Sequence, residues 1–348
     1  MTIEFGVGII GGGVIAAVHA KAIDALPATK LVAIAEPRET AGQELAAKYN
    51  AIWLPDLTDL LKRPDIDVVI VATPSGMHAD HVVAAAQAGK HVITEKPMAT
   101  TVADADRMAA ACQAAGVQLA VIFQTRFSRD TIRLKRAIDD GLFGRPIMGG
   151  AYVHWHRTQT YYDANGGWRG TWALDGGGAL MNQSVHTIDL LQWMLGRATR
   201  ISAETATLTH EIETEDTAAA TVRFASGALG SIQGTTSLVK DFPVRLEIVG
   251  TEGRAVLTGS RLSVWEPGRY INDTELLSEA ELKNTEGSEG EDPFGAAHQR
   301  QLNAIFEALL SGETPPIPAH EAKKAIEIIC AIYQSAQTGT VVTLPEQP

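Results

Sequence analysis

The stretch that decides the fold reads Phe5-Gly-Val-Gly-Ile-Ile-Gly-Gly-Gly-Val-Ile-Ala16, and it is answered by Leu31-Val-Ala-Ile-Ala-Glu36. An apolar strand runs into a Gly-x-Gly-x-x-Ala turn at Gly11, Gly13 and Ala16. A helical run follows, and a second apolar strand then ends on an acid about 20 residues past the turn, the pattern of a dinucleotide-binding βαβ unit. Gly11 permits the tight turn, Gly13 lets backbone N–H groups approach a pyrophosphate, and Ala16 lets the helix pack close to the sheet. The helix N-terminus then faces the phosphates. Gly12, Val14 and Ile15 complete the predicted cofactor loop, and Glu36 is placed to accept hydrogen bonds from the adenosine ribose. Residues 5–18 are apolar enough to suggest a signal peptide, but Glu4 stands where a positive n-region is needed, and a glycine-rich stretch makes a poor helical core for one.

Composition narrows the rest. The 348 residues suggest two domains, with 45% hydrophobic and 20% charged residues as in an ordinary globular protein. A net charge of −12 without a long basic run argues against nucleic acid or an anionic membrane as partner. No apolar run is long enough to span a bilayer. Cys112 and Cys330 lie in Ala- or Ile-rich helical patterns and read as small buried hydrophobes, not as a disulfide framework. A cytoplasmic location is expected from this usage.

Outward from the opening motif, apolar runs at 5–10, 31–35, 68–72, 91–94 and 117–123 alternate with Ala-rich helical stretches including 77–88 and 101–115. A short strand near 52–54 completes a parallel sheet covered on both faces. Loops after the carboxyl ends of these strands should line one site. The pattern changes after residue 123. A helix at 129–140 and a strand at 147–157 are followed by an aromatic, glycine-rich loop at 158–176 and a helix over 179–195. Consecutive strands then fill 200–266, the sign of an antiparallel sheet. Residues 270–293 read as an acidic exposed loop, and helices near 295–311 and 319–337 close the chain. The expected architecture is α/β, with a dinucleotide-binding domain at 1–123 and an α+β domain at 124–348.

Two further motifs carry chemistry. Lys96, in Glu95-Lys96-Pro97, follows the fifth strand and should sit at the carboxyl edge of the sheet. There an ammonium can hydrogen-bond a substrate hydroxyl and stabilise the developing alkoxide; the bland alternative is an ordinary surface lysine. In Gly176-Gly-Gly-Ala-Leu-Met-Asn-Gln-Ser-Val-His-Thr-Ile-Asp189, a helix would put Asn182, His186 and Asp189 on one face. His186 then suits a general base, Asp189 would orient its ring, and Asn182 would hold a hydroxyl. The alternative is a polar ladder satisfying itself in the core. One His and one Asp make a thin metal-ligand set, so no metal is expected.

Together, in this order, these motifs resemble the Gfo/Idh/MocA oxidoreductases. The resemblance covers nearly the whole chain and includes Gly8-Ile-Ile-Gly-Gly-Gly-Val-Ile, Thr73-Pro74-Ser-Gly-Met-His78, Glu95-Lys96-Pro97, Gly176-Gly-Gly to His186-Thr-Ile-Asp189, and Ser335-Ala-Gln-Thr-Gly339. It implies a Rossmann domain followed by a mostly antiparallel domain whose sheet mediates homodimers or homotetramers. It also implies oxidation of a secondary hydroxyl of a sugar or cyclitol, or the reverse reduction. Lys96 and His186 would be catalytic, Pro97 would follow a cis peptide bond, and Thr73, Pro74, His78, Glu95 and Lys96 would line the cofactor. Many relatives carry aspartate four residues before the histidine; this chain has Asn182, which can orient a hydroxyl but cannot take its proton. Glu36 repels a 2′-phosphate and so favours NAD over NADP, with Arg38 nearby to soften that preference.

The substrate is sought in the cluster Tyr152, Trp155, His156, Tyr161, Tyr162, Trp168, Arg169 and Trp172. Rings with polar tips suit a pyranose or cyclitol, and equally a sheet face or subunit interface. Of these, Trp155, Tyr162, Trp168 and Arg169 are taken as substrate-binding, with Arg126 and Asn182. Arg126 and Arg169 would hold a carboxylate if the substrate is a sugar acid. Two alternatives remain: a redox-assisted lyase or glycosidase that recycles its NAD, and a non-catalytic NAD sensor.

Overall fold

The computed structural model describes residues 5–284 and 295–345. The chain opens with β1 (Phe5–Ile10), α1 (Val14–Asp24), β2 (Thr29–Ala35), α2 (Glu39–Lys48), β3 (Ile52–Leu54), α3 (Leu57–Leu61), β4 (Val68–Val71), α4 (His78–Gln87), β5 (His91–Thr94), α5 (Val102–Ala115) and β6 (Leu119–Val121). These strands form a six-stranded sheet in the order β3-β2-β1-β4-β5-β6. Every pairing is parallel. The four residues of β4 are all buried, as expected of a strand covered on both faces. The order reverses between β1 and β4, and ligands bind such sheets at that switch point.

The second half contains α6 (Arg129–Asp139), β7 (Pro146–His154), α7 (Gln159–Gly167), α8 (Val185–Leu195), β8 (Ala198–Ala206), β9 (Thr217–Phe224), β10 (Leu229–Thr235), β11 (Arg245–Gly250), β12 (Arg254–Thr258) and β13 (Arg261–Glu266). Short helices α9 (Asp273–Leu276) and α10 (Glu279–Asn284) follow, then α11 (Ala296–Ser311), α12 (Ala319–Thr338) and β14 (Val342–Thr343). The eight-stranded sheet runs β13-β12-β11-β7-β10-β9-β8-β14. It is antiparallel except where β7 lies parallel to β10. Burial alternates along β9 and β11, the period of a sheet with one face on a core.

The described residues divide into two compact units, 5–124 with 295–323 and 125–284 with 324–345, and the chain crosses from one to the other within α12. This corrects the expectation that everything after residue 123 belongs to one domain. Leu302, Ile305 and Phe306 of α11 join the core built by Val7, Ile9, Ile23 and Ile34. Phe306 stands 5.6 Å from the ring of Phe5. Gln301 donates to the Val121 carbonyl (2.8 Å) and accepts from Phe123 N (3.0 Å), tying α11 to the end of β6. Two local expectations also change. Residues 273–276 and 279–284 are helical within the segment read as a loop; positions 285–293 of that segment lie outside the described residues. Residues 179–184 form a π-helical turn, and the α-helix begins only at Val185. Among the described residues, no helix is long and apolar enough to cross a membrane.

Candidate functional site

In the first unit, the turn after β1 has the shape that a dinucleotide requires. Gly11 adopts φ +112°, and a Cβ there would collide with the Ala72 carbonyl oxygen. Gly13 caps α1 without any side-chain hydrogen bond, and a Cβ on it would meet open space. Val14 beside it is 87% exposed. The first N–H groups of α1 therefore open toward solvent with no side chain occupying them, an arrangement made for an anion. Ala16 is fully buried against the sheet.

Glu36 follows β2 with its carboxylate gripped by Arg38. The guanidinium donates to both oxygens at 2.7 and 3.1 Å, and Arg38 N donates at 3.0 Å. Burial pushes the Glu36 carboxyl upward, but Arg38 and the Gly12 N–H bring it below its ordinary value, so it is ionised at neutral pH. After β4, Thr73 Oγ1 lies 3.1 Å from His81 Nδ1, and Pro74 leads into a short 3-10 turn. His78 is buried, with Nδ1 2.8 Å from the Pro97 carbonyl and Nε2 2.9 Å from the Thr73 carbonyl. Burial lowers its pKa, against the two carbonyls that raise it; each carbonyl can only accept, so a ring with one proton donates to one of the two loops it lies between. Its two ring nitrogens thus face the protein's own backbone.

After β5, Lys96 is half-buried, and the Lys96–Pro97 bond is cis as the resemblance implied. Glu95 turns inward. One oxygen takes His19 Nε2 at 2.8 Å, and the other takes the Lys96 N–H at 3.1 Å. His298 Nε2 lies 3.6 Å from the first oxygen. Its carboxylate is therefore occupied within the protein. His19 and His298 were not singled out from the sequence, and no local signal joins positions so far apart.

In the second unit, His186 sits half-buried in the first turn of α8. Because the preceding turn is π-helical, Asn182 lies outside α8, and the proposed spacing along one α-helical face does not hold. Asn182 instead joins a polar chain. Its Nδ2 donates to Asp175 at 2.6 Å, and its Oδ1 accepts from Gln183 at 3.0 Å. Gln183 also donates to Tyr161 Oη (2.8 Å) and accepts from Arg157 (3.3 Å). Glu215 anchors the π turn itself, accepting from Gly178 N at 3.1 Å, Leu180 N at 2.8 Å and Tyr333 Oη at 3.0 Å. Burial pushes the Glu215 carboxyl up to about 7, against the two amides. Burial and the Glu215 charge hold Tyr333 well above the usual phenol range, so it keeps its proton and donates. Arg157, Gln183, Glu215 and Tyr333 were not picked out in the sequence.

Two substrate candidates are reassigned by burial. Arg126, 6% exposed, forms a two-pronged ion pair with fully buried Asp189 at 2.7 and 2.5 Å, and its guanidinium lies 4.6 Å from the Trp193 ring. It anchors α8 rather than holding a carboxylate, and Asp189 serves that pair. Tyr162 is 4% exposed, bonded to Thr236 Oγ1 at 2.8 Å and packed on His210 at 4.9 Å. Burial raises its phenol to about 12. It belongs to the core. The remaining candidates form a layered cluster: the Arg157 guanidinium lies 4.8 Å from the Trp155 ring and 5.5 Å from Tyr161. Arg169 lies 4.6 Å from Tyr161 and 4.7 Å from Trp168. Among the described residues, Arg169 has no carboxylate within ion-pair distance, unlike Arg157, which pairs with Asp241.

A glycine-shaped helix start, an ionised acid after β2 and the reversed strand order define the class: an oxidoreductase with an NAD-binding Rossmann domain. Residues 5–123 match the oxidoreductase family's NAD-binding Rossmann domain, and residues 131–256 match the GFO/IDH/MocA C-terminal domain; the chain belongs to the GFO/IDH/MocA family. It is 35% identical to the WlbA dehydrogenase of Bordetella pertussis, solved with NADH and UDP-GlcNAcA, over 99% of each chain with a TM-score of 0.91. It is 30% identical to levoglucosan dehydrogenase of Pseudarthrobacter phenanthrenivorans over 73% of this chain and 74% of that one. It is 27% identical to myo-inositol 2-dehydrogenase of Thermotoga maritima over 98% of both.

Proposed function

We propose that this protein is an NAD-dependent dehydrogenase acting on a secondary hydroxyl of a pyranose that carries an anionic group, a nucleotide-linked sugar acid being the first substrate to test. The observation that carries the anionic preference is Arg169, stacked between Tyr161 and Trp168 with no carboxylate of its own among the described residues. A guanidinium held flat by rings presents its fork to a carboxylate or phosphate. The full-length likeness to a dehydrogenase solved with NADH and UDP-GlcNAcA supports the same reading.

The chain's residues fit the cofactor: Gly13 opens the α1 N-terminus to the pyrophosphate, and ionised Glu36 accepts from the ribose diol and repels a 2′-phosphate. When bound, NAD supplies a hydride acceptor at nicotinamide C4. Lys96 donates a hydrogen bond to the reacting oxygen and stabilises charge developing there. His186 takes the hydroxyl proton. Asn182, fixed by Asp175 and Gln183, orients the sugar without competing for that proton.

The test is NADH formation, read by its near-ultraviolet absorbance, with NAD or NADP and a panel of UDP-N-acetylglucosaminuronic acid, its neutral UDP-sugar counterpart, free hexoses and inositols. Turnover with the acidic sugar, weaker with the neutral one, is expected. Equal turnover on neutral free sugars would refute the anionic preference. NAD binding with no NADH on any substrate would favour recycled cofactor or a sensor.

A further inference from the structure

Lys96 is the one proposed catalytic group that comes from a loop rather than a helix, so something must hold it. We propose that buried His19, Glu95 and His298 form a clamp that positions Lys96 against the cofactor-binding helix. The inference rests on the role assigned to Lys96 above.

The clamp joins three separate elements of one unit. His19 comes from α1, the helix whose N-terminus opens toward the pyrophosphate position. Glu95 follows β5, and His298 stands in the first turn of α11. All three are buried, at 0%, 4% and 1% exposure. The two rings meet edge to face with centroids 5.7 Å apart. One Glu95 oxygen bonds His19 Nε2 at 2.8 Å and faces His298 Nε2 at 3.6 Å. The other receives the backbone N–H of Lys96 at 3.1 Å. A single carboxylate thus ties the catalytic residue's own peptide to the cofactor helix.

The chemistry of the groups fits a hydrogen-bonded clamp better than a metal site. Their donor atoms all lie within 4.8 Å of one another, close enough for an ion on distance alone. Yet ligands about 2.1 Å from a tetrahedral ion stand about 3.4 Å apart, and the His19–Glu95 separation of 2.8 Å is that of a hydrogen bond. His19 Nδ1 is buried without a hydrogen-bond partner. That puts the ring proton on Nε2, where the carboxylate accepts it, since a buried Nδ1–H without an acceptor costs more. Burial alone would push the Glu95 carboxyl up, but the two imidazoles hold it well below the usual carboxylate range. The titratable groups facing it are His19 from α1, His298 from α11, His78 from α4 and neighbouring Lys96. An ionised carboxylate kept out of water is costly and persists only where its bonds are all directed; here one of those bonds goes to the Lys96 peptide.

The experiment compares the full-length protein with Glu95→Gln, His19→Leu and His19→Gln, the last of which keeps a donor toward Glu95. Three quantities are read: NAD affinity by calorimetry, kcat and KM on the sugar that the wild type oxidises, and the acetylation rate of Lys96 relative to Lys62. Lys62 is a surface reference, its side chain 70% exposed. Glu95→Gln and His19→Leu should lower kcat by about 10- to 100-fold while NAD affinity and KM stay within about threefold, and His19→Gln should recover most of kcat. The Lys96-to-Lys62 ratio should change in the first two variants and return in the third. Unchanged kcat and unchanged acetylation ratio in both Glu95→Gln and His19→Leu would overturn the clamp. So would a loss of NAD binding equal to the loss of kcat, because the role would then be general stability. If the wild type oxidises no sugar, the functional reading fails, while the acetylation ratio still decides the clamp. Should Glu95→Gln not fold, the His19 pair decides it.

Discussion

Glu215 offers the sharpest pH test of the second unit. It is 4% exposed, and its carboxylate holds the start of the π turn through Gly178 N and Leu180 N. Burial lifts its pKa from 4.5 to about 7 in the folded protein. The folded state therefore binds this proton more tightly than the unfolded chain, so stability falls as pH rises between those two values. The contribution is fully present below the unfolded value and is lost as pH rises through about 7. A rise from 4.5 to about 7 corresponds to about 3 kcal/mol. Glu215→Gln removes the titration while keeping the shape of the protonated side chain. Urea unfolding of both proteins between about pH 5 and about pH 8 isolates this residue, since every other titrating group cancels in the difference. The wild type should lose about 2.5 kcal/mol relative to the variant across that range; the lost acceptor at Gly178 costs the variant the same at every pH and cancels in that change. A flat difference, or one that moves in favour of the wild type as pH rises, would refute the assignment of a raised Glu215 pKa.

Three other outcomes follow from the same contacts. Lys96→Ala should lower turnover by about 100- to 10,000-fold and leave NAD affinity intact, read by steady-state kinetics beside calorimetry; undiminished turnover would remove Lys96 from the mechanism. Arg126→Ala leaves the fully buried Asp189 without its guanidinium and should cost about 3–5 kcal/mol in urea unfolding, whereas a surface pair would cost far less. Glu36→Gln removes the charge that repels a 2′-phosphate and releases Arg38 to meet one. The ratio of NAD to NADP efficiency should then fall by about tenfold or more, equivalent to about 1.4 kcal/mol, and an unchanged ratio would place cofactor choice elsewhere.

What could be read from the sequence was whatever depends on near neighbours. The turn at Gly11–Ala16, the buried run of β4 and the alternation along β9 each state their own environment, because strand period and glycine chemistry act over a few residues. What could not be read was who answers a charge from far away. Arg126 and Asp189 are 63 positions apart, and each alone reads as a site residue; only the fold reveals that they satisfy one another. The π turn at 179–184 is equally non-local, since Glu215 receives its amides across 37 and 35 positions, and the local pattern favours an ordinary helix. The same logic explains why α11 was assigned to the wrong unit. Its apolar stripe announces burial but not against what, and Phe306 finds Phe5 at the other end of the chain. Polar residues at a family's expected positions thus divide by their partners. Arg126 and Tyr162 are consumed by the scaffold, and Glu95 gives its carboxylate to His19 and the Lys96 peptide. Arg169 keeps its guanidinium stacked and uncommitted to any carboxylate among the described residues, and for that reason it is the residue on which a substrate's charge is best sought.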